Sequence, residues 1–124
     1  MEKSRHTAQD ALAAVCQSAQ VDHWDGAGAR RVEPSSYRYA RQLIHRLPRW
    51  VSPPEIAIDR DGEILFEWDH GRRHVFTISI GKDGTLTFAG LFGQTTIHGI
   101  DHGRDELSST IVEYLERFQA PPPS

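Results

Sequence analysis

Hydrophobic and polar positions change their rhythm twice along the chain. Between residues 7 and 20, Ala8, Ala11, Leu12, Val15, Cys16 and Ala19 recur at steps of three and four. That period predicts a helix whose apolar face is narrow and alanine-rich. Thr7 or Ser4 is placed to cap it. Over residues 22–33 the period is lost. Gly26 and Gly28 permit positive φ, and the stretch reads as an ordered loop anchored by Trp24. Pro34 suits a first helical turn, where Ser35 or Ser36 can serve nearby amides. Tyr37, Ala40, Leu43, Ile44 and Leu47 then form the stripe of a second helix, with Arg38, Arg41, Gln42, His45 and Arg46 opposite. Pro48 ends it, because the residue before a proline is pushed out of the helical region.

From residue 55 the period falls to two. Ile56 and Ile58, then Ile64, Phe66 and Trp68, then Phe76, Ile78 and Ile80, then Leu86 and Phe88 alternate with polar or smaller residues. Arg60-Asp61-Gly62, Asp69-His70-Gly71-Arg72 and Lys82-Asp83-Gly84 separate them, as hairpin turns do. Thr95–His98 adds a fifth strand. Leu107, Ile111, Tyr114, Leu115 and Phe118 return to helical spacing, with Ser108-Ser109-Thr110 as the initiation segment. The prediction is α+β: a four- to five-stranded antiparallel meander with two N-terminal helices and one C-terminal helix, packed mainly on one face. The chain reads as a single domain over 1–124, with an ordered core of about 7–118 and a flexible proline-rich tail at 119–124.

Composition narrows the classes of function. The chain has 124 residues, 38% hydrophobic and 25% charged, with a formal net charge of −3. These values suit one water-soluble domain and exclude a collagen, a membrane span or a charge-driven disordered chain. A single cysteine, Cys16, forms no internal disulfide, and no secretory signal is visible at the start, so the expected location is cytoplasmic. Charge is uneven: between residues 30 and 50, Arg30, Arg31, Arg38, Arg41, Arg46 and Arg49 face only Glu33, and the last 74 residues are acidic.

Candidate chemistry is sparse. Gly26-x-Gly28 lacks the third glycine of a dinucleotide fingerprint and follows a helix rather than a strand. It reads either as a tight turn with Trp24 as a core plug, or as a ligand or anion site formed by Trp24, Asp25, Gly26, Gly28, Arg30 and Arg31. His98, His102 and Asp105 make a possible metal-ligand cluster, without the helical spacing that fixes geometry. Cys16 lies on an apolar stripe and reads as an inert core thiol, and no nucleophile elbow is present. No residue set qualifies as catalytic. Arg38, Arg41 and His45 cluster on one helix face and form a candidate protein-contact surface. Nucleic acid is disfavoured by the negative total charge and by the lack of aromatics among the arginines.

Trp24-Asp25-Gly26-Ala27-Gly28-Ala29, the helix ending at Leu47-Pro48, Pro53-Pro54-Glu55 and the Gly62–Trp68 strand resemble a group of small uncharacterised bacterial proteins with a W-D-G-x-G-A box. The resemblance spans roughly residues 20–118 and implies a bacterial cytosolic setting. No activity is assigned to that group, so it implies no chemistry. The expectation is a non-enzymatic protein-binding or regulatory module without a cofactor. Its partner would be an unidentified protein, met through Arg38, Arg41 and His45, or a second copy, met through a sheet edge or a sheet face carrying Thr77, Ser79, Thr85, Thr87 and Leu91. The rival readings are a small-molecule binder at the Trp24–Arg31 loop and a metal-dependent enzyme at the histidines.

Overall fold

The computed structural model describes residues 2–22, 24–102 and 107–119. Its elements are α1 (Glu2–Ser18), α2 (Pro34–Arg46), β1 (Glu55–Ile58), β2 (Ile64–Asp69), β3 (His74–Ile80), β4 (Leu86–Phe92), β5 (Thr95–Asp101) and α3 (Ser109–Gln119). The strands form one antiparallel meander in the order β1-β2-β3-β4-β5. The fold is therefore α+β, with five strands, two helices before them and one after. The first helix starts at Glu2, earlier than the apolar period predicts, because Glu2-Lys3 and the residues after them contain no helix breaker. Gln119 belongs to α3; the rest of the proline-rich tail, residues 120–124, lies outside the described residues, as does Asp105.

Turn chemistry sets the hairpins. In each of three turns an aspartate carboxylate accepts a hydrogen bond from the amide two residues on: Asp59 from Asp61 at 2.9 Å, Asp69 from Gly71 at 2.7 Å and Asp83 from Thr85 at 3.0 Å. Such bonds mimic a backbone turn and hold the chain reversed. Ser108 does the same work for α3, its hydroxyl accepting from the Ile111 amide at 3.2 Å.

Register then sorts the two faces. Ile56, Phe66, Ile78, Phe88 and Gly99 form one cross-strand row on the helix side, and Ile58, Ile64, Ile80 and Leu86 form the next. α1 lies over β1 and against α2, α2 over β2 and β3, and α3 over β3. Leu12, Ile44, Ile64, Phe66, Phe76, Ile78, Ile111, Leu115 and Phe118 are fully buried between the layers. A Cβ at Gly99 would run into the Phe88 ring, so glycine there makes room for the aromatic. The indole N–H of Trp68 donates to the Ser52 carbonyl at 2.7 Å, which pairs its one polar atom inside the core.

Candidate functional site

The Trp24–Arg31 loop is tied down from within and from the β1–β2 hairpin. The Asp25 carboxylate accepts from the amides of Ala27 at 2.8 Å and Ala29 at 3.0 Å. Those hydrogen bonds, from Ala27 first and Ala29 second, hold the Asp25 carboxyl below its usual range. The Trp24 indole donates to the Arg30 carbonyl at 2.7 Å. From the hairpin, the Arg60 guanidinium donates to the Ala27 carbonyl at 2.7 Å and lies 3.9 Å from the Asp25 carboxylate. In return the Arg30 amide donates to the Arg60 carbonyl at 2.8 Å. Gly62, at φ +83°, lies so close that any Cβ would strike the Arg31 carbonyl. Thus two amides of the glycine turn are already given to a carboxylate of the same loop. Trp24, Asp25, Gly26 and Gly28 hold the loop's shape, while Arg30 and Arg31 border a cleft.

That cleft, of about 450 Å³, opens at the end of the sheet where the β1–β2 and β3–β4 turns meet the start of α2. Asp22, Arg30, Arg31 and Glu33 come from the loop, Ser36 from α2, Asp61, Gly62 and Glu63 from one turn and Lys82 from the other. Asp22 accepts from the Arg31 amide at 3.0 Å, and Glu63 accepts from the Ser79 hydroxyl at 2.7 Å. Ser36, Asp61, Glu63 and Lys82 were not legible as a site, since no motif or spacing links four separate segments. The one available signal was Asp61-Gly62, a turn glycine that allows the hairpin to touch the loop.

The remaining candidates lie apart. Arg38, Arg41 and His45 are exposed on α2, and the Arg41 guanidinium sits 5.9 Å from the centre of the Tyr37 ring. His98 is exposed on the sheet face away from the helices, in register with Ala89. His102 follows β5, its Nδ1 3.5 Å from the Thr85 hydroxyl. Asp105, the third member of that trio, is outside the described residues. Among the described residues no group of three or more His, Cys, Asp or Glu side chains gathers to hold a metal ion. Cys16 is buried, and burial raises its thiol pKa to about 11, far from the range of a reactive thiolate.

The sheet face opposite the helices carries three cross-strand rows. One runs Glu55, Glu67, Thr77, Ala89, His98; the next Ala57, Leu65, Ser79, Thr87, Ile100; the third Asp69, Val75, Leu91, Thr96. Thr85, expected on this face, precedes β4 in the turn held by Asp83. Leu65, Val75 and Leu91 are half-buried by their neighbours, and Ile100 is 62% exposed. Among the described residues no helix is long and apolar enough to cross a membrane. Comparison with known proteins finds no family, no curated protein and no solved structure that matches the chain.

Proposed function

We propose that this protein is a non-enzymatic binding module, cytoplasmic and free of cofactors, that works through the open face of its sheet. The occupant we assign to that face is a second copy of the chain. One observation carries the reading: all three helices pack on one side, and Leu65, Val75, Leu91 and Ile100 stand among threonines and alanines on the other. Five strands about 4.8 Å apart and up to seven residues long give a footprint of roughly 500 Å². Two copies face to face then bury about 1,000 Å², the lower bound for a specific interface.

Hydrogen-bonding groups complement the shape. Glu55, Glu67 and Asp69 lie on β1 and β2, and His98 lies on β5, so the carboxylates and an imidazole donor sit at opposite edges of the face. A two-fold axis along β3 lays each acidic edge over the other copy's His98 and brings Thr77 against itself. Sedimentation equilibrium tests this. The expected result is a reversible shift from 14.0 kDa towards twice that mass over micromolar concentrations. Thr77→Arg, which sets like charges on the axis, keeps the protein monomeric. Combined replacement of Arg38, Arg41 and His45 by alanine leaves the shift unchanged. A protein that stays monomeric at all concentrations, or one whose association is lost with the α2 triple variant alone, contradicts the reading.

A further inference from the structure

The cleft at the sheet's end is a second site, independent of the open face. α2 begins there. Its N-cap residue, Glu33, offers no side-chain hydrogen bond to the first turn, and Pro34 has no amide hydrogen to give. The Tyr37 amide is bonded to the Glu33 carbonyl, and among the described residues the Ser35 and Ser36 amides of the first turn have no such partner. Ser36 borders the cleft with only 1% of its surface exposed, and among the described residues nothing hydrogen-bonds to its hydroxyl. A hydroxyl packed into a protein normally finds a partner, as buried polar side chains do. Here the side left open to it is the cleft.

The charges around this floor are mixed. Arg30, Arg31 and Lys82 supply three cations against the four carboxylates of Asp22, Glu33, Asp61 and Glu63, of which Asp22 and Glu63 also accept from the Arg31 amide and the Ser79 hydroxyl. An inorganic anion would meet the cations at the cost of those carboxylates, and a plain amine would meet the reverse. A molecule carrying both charges satisfies both sets. We infer that the cleft binds a small zwitterion of the α-amino-acid class. Its carboxylate lies at the start of α2, on the Ser36 hydroxyl and beside Arg30 and Arg31, where the helix dipole favours negative charge. Its ammonium lies towards Asp61. At about 450 Å³ the cleft falls in the size range of small-molecule sites.

The test is calorimetric titration of the full chain with glycine, L-alanine and L-glutamate. Acetate, methylammonium and inorganic phosphate serve as probes carrying one sign of charge. At least one amino acid is expected to bind, ten-fold or more tightly than acetate or methylammonium. Ser36→Ala and Lys82→Ala each weaken it several-fold, and the exposed Lys82 variant keeps the test valid if Ser36→Ala folds poorly. No heat with any amino acid overturns the inference. So does phosphate binding more tightly than the amino acids, which would mark an anion site, or binding that both variants leave intact.

Discussion

Asp25 shows how much one side chain can organise. Its carboxylate closes the loop on two amides and faces Arg60 on the hairpin, so the glycine turn and the sheet are fixed together. The hydrogen bonds hold its folded pKa below the unfolded value of about 3.9. A carboxylate of that kind contributes stability above its unfolded pKa and loses it as pH falls through the folded one. Asp25→Ala therefore lowers Tm at pH 7, and the gap from the unaltered protein narrows as pH drops below about 4. Differential scanning calorimetry at both pH values checks this; a gap of constant size would show that the carboxylate's charge does not matter to the loop. Residue identity made the loop legible, since Trp24 and the paired glycines announce an ordered turn. Arg60 was not legible as its clamp, because a side chain reaching 33 positions back leaves no trace in local spacing.

Elements were the most legible scale. A period of 3.6 or 2 survives folding when one face is buried, and the three helices and β1 to β4 carry such a stripe or alternation, whereas β5 places Ile97 and Ile100 on opposite faces and shows none. The ends were harder. β3 begins at His74, two residues ahead of the first apolar alternation, and β4 and β5 run to Phe92 and Asp101. The extra residues are held by ladder bonds and by stacking, which composition does not report. His74 stacks on Phe118 at 4.6 Å between ring centres, and its Nε2 lies 2.9 Å from the Phe118 carbonyl. Phe118 also packs against His70, at 4.1 Å, and Phe92, at 6.4 Å. That cluster anchors the end of α3 to β3 and β4. Phe118→Ala, at a fully buried position, is expected to cost about 3–5 kcal/mol in denaturant unfolding. A loss under about 1 kcal/mol would mean that α3 is held elsewhere along its length.

At the scale of the whole molecule, the arrangement of layers carries the proposed function. Three helices cover one side of the sheet and none of the described elements covers the other, so the residues between buried positions become a surface in their own right. The sequence predicted that division through its two-residue alternation, and it predicted Thr77, Ser79, Thr87 and Leu91 on the second face. It did not predict the cleft, whose walls come from a loop, a helix start and two turns that only the meander brings to one end. Hydroxyl-radical footprinting tests occupancy of the open face most directly. Raising the concentration from dilute to well above the association midpoint should slow modification of Leu65, Leu91 and Ile100 several-fold and leave Val21 and Trp50, exposed elsewhere, unchanged. Equal rates at the three open-face residues across that range, or protection at Val21 and Trp50 instead, would contradict the account.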